Sequence, residues 1–274
     1  MTAAHGVLAV ILAALTAYAL LGGADFGGGV WDLLARGPRR DAQRALVARS
    51  MGPVWEANHV WLVFVLIALF SAFPPAFGAL SRALVLPFGL ALLGIVLRGS
   101  AFVFRQYADP GSEVRRWGAV FAVASTVTPF VLGVAAGALP TGRLAADGSA
   151  GALAPFRSPL ALLAGALALA TCAFLAATYL CRDAADDPAL AADFRRRALA
   201  AAAVAGALAM AGLPALAADA PRVAGRFAGR GLPFLVLSVA AGAAAVWLLW
   251  RRRYGAARLV APLAPAAVLW GWAV

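Results

Sequence analysis

The chain has 274 residues, 64% of them hydrophobic, a mean hydropathy of +0.86 and only 13% charged residues, about half the charge of an ordinary soluble domain. That composition excludes a soluble globular fold and defines an all-α polytopic membrane protein. A formal charge of +11 in a soluble protein would raise nucleic acid as a partner. Here the arginines fall in short loops between apolar stretches, a topology signal that excludes nucleic acid. The only two cysteines, Cys172 and Cys181, lie in and at the end of one apolar stretch, so they are not placed to staple a loop.

A helix rising 1.5 Å per residue needs about 20 residues to cross the hydrocarbon. Eight stretches reach or approach that length: 5–33, 55–74, 80–104, 116–138, 158–180, 197–217, 232–250 and 256–274. The first begins without the basic leader and small-residue cleavage pattern of a secretory signal, so Met1 onward reads as the first span. Breakers separate the spans, among them Pro38, Pro74-Pro75, Pro110-Gly111, Pro140 and Pro188. No fixed repeat of 20–50 residues is visible. All basic residues are arginine. Sixteen of the 23 lie after the odd-numbered spans, from Arg36 to Arg49, Arg105 to Arg116, Arg182 to Arg197 and Arg251 to Arg258; six lie in the alternate loops. The positive-inside rule then puts the N-terminus outside, although Arg222, Arg226 and Arg230 work against it.

The remaining arginine, Arg98, falls inside the third span. A charge in hydrocarbon costs roughly 2.5–3.5 kcal/mol on insertion scales, so it implies a partner or a task. Span one offers one partner. Gly22, Asp25, Gly28, Gly29 and Asp32 share a helical stripe, and glycine there allows a neighbouring helix to approach closely, so the carboxylates face protein. Asp25 lies about 12 Å, and Arg98 about 9 Å, from the cytoplasmic end of its span. Glu56 opens span two on the same side, so all three fall in one slab, the cytoplasmic third of the membrane. Such a layout suits either a register-fixing ion pair or a proton entry path through Glu56 and Asp25, with Arg98 holding the carboxylates.

Around Glu56, the run Gly52-Pro53-Val54-Trp55-Glu56-Ala57-Asn58-His59-Val60-Trp61 gathers further polar groups. Glu56 and His59 share a helix face, and Trp55 and Asn58 the neighbouring one. Asn58 reads as an interhelical hydrogen-bonding residue, and Trp31, Trp55 and Trp61 as boundary or packing aromatics. A Glu-x-x-His pair is half of a di-iron carboxylate site. The chain has only Glu56 and Glu113, which rules that site out. A bis-histidine haem fails similarly, because His5 lies at the far end of span one; ligation through His59 with another partner stays open. The glycine cluster lacks the Lys-Ser/Thr and preceding strand of a phosphate cradle. A proton-coupled secondary transporter is the rival from another class, with Gly22 to Gly29 as a helix break.

These motifs carry a family resemblance. Gly23-Ala24-Asp25-Phe26-Gly27-Gly28-Gly29 resembles the Gly-Phe-Asp-x-Gly-x-Gly segment of subunit II of cytochrome bd-type quinol oxidases. Pro53 to Leu62 is similar to that family's Pro-x-Trp-Asp/Glu-x-Asn-x-Val-Trp-Leu signature, and Arg98 to Arg105 to its Arg-x-x-x-Phe-x-Phe/Tyr-Arg run; Leu269-Trp270-Gly271-Trp272 fits a late tryptophan-rich span. The specific signal covers about the first 105 residues. The resemblance implies two four-helix bundles plus one extra helix, here 1–138 and 158–274, with eight spans present and a ninth missing by truncation. It also implies a bacterial cytoplasmic membrane and a heterodimer with a homologous subunit I that holds haems b and d and the quinol, with small accessory subunits as further partners. This chain would then bind no cofactor or metal itself and would contribute a cytoplasmic proton path. His59 departs from the family, which often has Glu or Gln there.

Overall fold

The computed structural model describes residues 2–51, 55–107 and 112–273; the side chains of residues 51, 55–57 and 106 lie outside that description. Among the described residues every regular element is helical. In chain order these are α1 (Ala3–Leu33), α2 (Arg40–Met51), α3 (Trp55–Ala72), α4 (Pro74–Ala83), α5 (Val85–Tyr107), α6 (Ser112–Ala138), α7 (Pro159–Asp183), α8 (Pro188–Asp219), α9 (Pro221–Ala228), α10 (Leu232–Trp250), α11 (Tyr254–Val260) and α12 (Leu263–Ala273). Helices α1, α5, α6, α7, α8 and α10 are each long and apolar enough to cross a membrane, as is α11 with α12, making seven such segments; Asn58–Ala72 is a shorter apolar helix.

Local chemistry sets the boundaries. The Oγ of Ser158 accepts from the Ala161 amide and Pro159 begins α7. Asp187 accepts from the Ala189 and Leu190 amides and Pro188 begins α8. Each is a side-chain N-cap followed by a residue whose missing N–H costs nothing in the first turn. The cap explains why α8 begins nine residues before the apolar stretch at 197: Asp193 and the arginines at 195–197 are helical without being apolar. Polarity also hides α2, whose Leu46 and Val47 are buried among charged neighbours. The stretch 256–274 is two helices, because Pro262 cannot continue α11. Residues 74–83 form the separate helix α4 rather than the start of the third span.

Helix α7 is the centre of the packing. It lies against α8, α6 and α1, while α1 also packs on α3 and α6, and α5 on α6. Its buried residues, including Phe174, Leu175, Leu180 and Cys181, form the main core with Trp31 of α1, Leu46 and Val47 of α2, and Phe194 of α8. The close seams are lined by small residues, as expected where no water-driven force brings helices together. On α6, a Cβ at Gly133 would come within 2.7 Å of the Ala164 carbonyl of α7, and one at Gly165 of α7 within 2.7 Å of the Phe130 carbonyl. On α1, Gly27 lies so near the Cys172 carbonyl of α7 that a Cβ there would overlap it. The outer faces are apolar: Val204, Met210 and Leu213 of α8 and Val236, Leu237 and Val239 of α10 are all exposed, as surfaces against lipid require.

Gly27→Ala forces α1 off α7, since a backbone carbonyl cannot rotate away, and should cost about 1–3 kcal/mol or more. Gly6→Ala, which has nothing within 4 Å of the added carbon, is the control. Thermal unfolding in detergent should separate the two; equal midpoints would show that the seam is not close-packed.

Candidate functional site

Three helices contribute a charged cluster inside the membrane-spanning region. From α5, Arg98 donates from Nη2 to Asp25 Oδ1 on α1 at 2.6 Å and to the Asp25 carbonyl at 3.3 Å. Its Nε donates to Ser125 Oγ on α6 at 3.0 Å. Both charged side chains are almost fully enclosed, at 2% and 1% exposure, so neither reaches lipid or water. The guanidinium also lies near two rings, 5.1 Å from the centroid of Phe26 and 4.9 Å from that of Phe121, a setting that favours a cation with little hydration.

The glycines of span one make this cluster fit. A Cβ at Gly29 would collide with Ser125, the residue that receives the arginine Nε. Pro129 sits inside α6 and has no N–H for the carbonyl one turn earlier, that of Ser125, so the helix is irregular where the site is built.

Helix α3 closes the other side. Asn58 Nδ2 donates to the Leu21 carbonyl of α1 at 3.3 Å, as an interhelical hydrogen-bonding residue should. The Asn58 amide, whose second N–H is not used by Leu21, stands beside the Asp25 carboxyl, and Asp25 Oδ2 has no hydrogen bond of good geometry among the described residues. The His59 ring meets Tyr18 and Phe26 edge-on, at centroid distances of 6.3 and 6.4 Å. The Glu56 and Trp55 side chains lie outside the described residues. Asp25, Arg98, Asn58 and His59 are therefore brought together, and the structure does not speak to Glu56 and Trp55.

A second ion pair lies two turns along. Asp32 of α1 receives Arg105 of α5, with Nη1 to Oδ2 at 3.1 Å, and Arg44 of α2 approaches Oδ1 at 3.8 Å. Seven residues separate Asp25 from Asp32, and seven separate Arg98 from Arg105. Two helices running in the same direction with the same spacing repeat the pairing at an interval of about 10.5 Å. Nearby, Asp193 of α8 accepts from Arg39 through both oxygens at 2.7 Å and from Gln43 at 3.1 Å, fastening the α2 segment to α8. That carboxylate raises the Arg39 guanidinium above its ordinary value by hydrogen bonding. Reading the sequence for intramembrane charge alone missed Arg105, Arg44 and Asp193. The paired seven-residue spacing was the available signal for the first. Of the two readings for Trp31, boundary or packing, the structure takes packing: it is buried and donates from Nε1 to the Ala173 carbonyl at 2.8 Å, whereas Trp61 is 41% exposed.

A bis-histidine haem does not fit this residue set. The two histidines are His5, exposed at the start of α1, and His59, beside Tyr18 and Phe26. Along α1 those levels are about 20–30 Å apart, too far to ligate one iron. No group of three or more His, Cys, Asp or Glu placed to hold a metal ion occurs among the described residues.

A buried ion pair in a bundle of membrane helices, with glycines where α1 meets α6 and α7 and where α6 meets α7, defines a polytopic membrane protein built around an internal charged cluster. The sequence pattern described as cytochrome bd terminal oxidase subunit II matches residues 4–274, and the chain belongs to that family. It is 33% identical over 135 residues to the cytochrome bd ubiquinol oxidase subunit 2 of Bacillus subtilis (strain 168), covering 49% of this chain and 39% of that protein. It is 29% identical over 175 residues to the cytochrome bd-I ubiquinol oxidase subunit 2 of Escherichia coli (strain K12), covering 61% and 45%. The chain thus spans less than half the length of these curated relatives. A chain of the bd oxidase structure from Geobacillus thermodenitrificans shares the fold, with a TM-score of 0.74 at 22% identity over 97% of this chain and 82% of that one. Family membership removes the grounds for the transporter reading.

Arg98→Met should cost about 3–5 kcal/mol, because it leaves the Asp25 carboxylate buried and unpaired. Asp25→Asn combined with Arg98→Met should recover much of that loss. Folded yield and thermal midpoint in detergent check this; a double variant no better than the single would show that the charges do not depend on each other.

Proposed function

We propose that the chain works as subunit II of a quinol oxidase of the cytochrome bd type, which oxidises quinol and reduces oxygen to water in the respiratory chain. Family membership over residues 4–274 carries this reading. Haems b and d and the quinol belong, on this reading, to a homologous subunit I that pairs with this chain in the bacterial cytoplasmic membrane, with small accessory subunits alongside. Residues 1–138 and 158–274 form the two four-helix bundles, with α7 joined to α1 and α6 across the division. The N-terminus lies outside, and the arginine-rich segments around α2, after α5, before α8 and after α10 face the cytoplasm.

Oxygen reduction consumes protons, and these must cross low-dielectric protein to reach a buried centre. This chain's share is a route from the cytoplasmic side. Glu56 takes up protons, Asp25 lies on the path, and Arg98 keeps the Asp25 carboxyl fixed and enclosed. Asn58, His59 and Trp55 supply the polar surroundings. Support comes from Asp25 itself, an enclosed acid with one oxygen bound to an arginine and the other without a hydrogen bond among the described residues.

Purification from membranes should bring down a second large subunit with visible Soret absorption; a colourless, solitary chain would overturn the assignment. In the assembled complex, Glu56→Gln should slow oxygen consumption by about 10²-fold or more, the low end of what a positioned proton-transfer group supplies. Unchanged turnover would remove Glu56 from the path.

A further inference from the structure

Two buried polar atoms within the α1 segment have no hydrogen bond among the described residues: the Tyr18 hydroxyl and Asp25 Oδ2. Both residues are more than nine-tenths enclosed, at 6% and 1% exposure. Buried polar groups are nearly always satisfied by protein or by ordered water, so two orphans in one neighbourhood call for a shared explanation.

Their geometry supplies one. Tyr18 and Asp25 lie on one face of α1, seven residues and about 10.5 Å apart along the axis. The Tyr18 ring does not point away. It lies over Gly22, on the Asp25 side of Tyr18, where an added Cβ would come within 3.0 Å of Cε2 and 3.6 Å of Cζ. No direct O–H···O bond, which needs about 2.5–3.0 Å, joins the two atoms. The walls are formed by His59 of α3, edge-on to Tyr18, and by Cys172 of α7, whose Sγ would stand 3.3 Å from a Cβ at Gly23. Arg98 is committed to Oδ1 on the other side of the carboxyl.

We propose that one fixed water bridges Tyr18 Oη and Asp25 Oδ2, and that this water is the proton-exchange partner of Asp25. Two polar partners meet the minimum for an ordered buried water. While Asp25 is ionised, the water donates to Oδ2 and accepts from the phenol. When Oδ2 takes up a proton, the water turns to accept from it and donates to Oη. The phenol keeps its proton throughout, so Tyr18 is a positioning residue; as the O–H bond at Oδ2 forms, one O–H bond of the water breaks, and a proton arriving along the route from Glu56 bonds to the water oxygen and leaves it neutral. Gly22 is required because a side chain there would displace the ring. The inference rests on the proton-route reading of Asp25.

Tyr18→Phe in the assembled oxidase keeps the ring against His59 and Gly22 but removes one of the water's two anchors. With haem content unchanged, oxygen consumption should fall about tenfold, part of what a positioned proton-transfer group supplies, and its solvent deuterium isotope effect should rise. Unchanged turnover and isotope effect in Tyr18→Phe, while Glu56→Gln remains slow, would overturn the role of the water and leave the route standing. Full turnover in both variants would overturn the route itself. Should Tyr18→Phe fail to assemble, a high-resolution map of the unaltered complex decides. Density for one oxygen within hydrogen-bond distance of both atoms supports the proposal, and a direct Tyr18–Asp25 bond or an empty interval overturns it.

Discussion

An arginine that reaches neither water nor lipid constrains everything near it. Arg98 carries a charge that cannot be discarded, since guanidinium does not lose its proton in proteins. The surrounding chain must therefore supply a carboxylate, further acceptors and little competing hydration. Asp25, Ser125 and the two phenyl rings do so from two helices, α1 and α6. This fixes how α1, α5 and α6 stand relative to one another far more tightly than apolar packing would, because lipid tails solvate leucine as well as another helix does. The glycines follow from the same requirement: Gly27 and Gly29 bring α1 close enough to α7 and α6 for short side chains to complete the cage.

The repeat of the pairing at Asp32 and Arg105 changes the character of the site. The second pair is enclosed on the acid side only, with Arg105 at 25% exposure and Arg44 at 30%. Exposed pairs contribute little, about 0–1 kcal/mol, so this lower rung tolerates the loss of a partner better than the enclosed upper one, where the remaining charge would be buried and unpaired. It does extend the line of ionised groups from the cluster toward the end of α1 where Arg44 and Arg197 gather. A graded series of this kind, water-accessible at one end and sealed at the other, is the electrostatic layout a proton would need to enter a membrane protein from one side.

Much of this was legible in the sequence, for reasons specific to each residue. Arg98 announced itself because charge inside a long apolar run is rare, and Asp25 because it sits among glycines on one helical stripe. Asn58 was legible as an interhelical donor because an amide in hydrocarbon must find a partner. The helices α2 and the first turns of α8 were not legible as part of the fold, since the span criterion measures hydropathy and these segments pack through a few residues, Leu46, Val47 and Phe194, among many charges. Trp31 was legible only as far as two alternatives, boundary or packing. Tryptophan near a membrane boundary is most often a belt residue, and nothing in the sequence indicates that the Ala173 carbonyl would stand 2.8 Å from its indole nitrogen. Which helices become neighbours is decided by non-local close approach, and only the seven-residue spacing shared by α1 and α5 carried that information in one dimension.

The asymmetry of the Asp25 carboxyl then bears on how one group can be both structural and active. An acid held by arginine through both oxygens is locked: protonating it breaks two charge-assisted bonds at once. Asp25 is held through Oδ1 and its own backbone carbonyl, which leaves Oδ2 outside the arginine's grip. On the proposed route, proton exchange at Oδ2 would proceed while the Oδ1 contact keeps the helices in register. Register and exchange would then fall to different atoms of one side chain. An aspartate suits that division, because its short stem leaves little freedom to swap the two oxygens once Arg98, Ser125 and Phe26 fix the guanidinium.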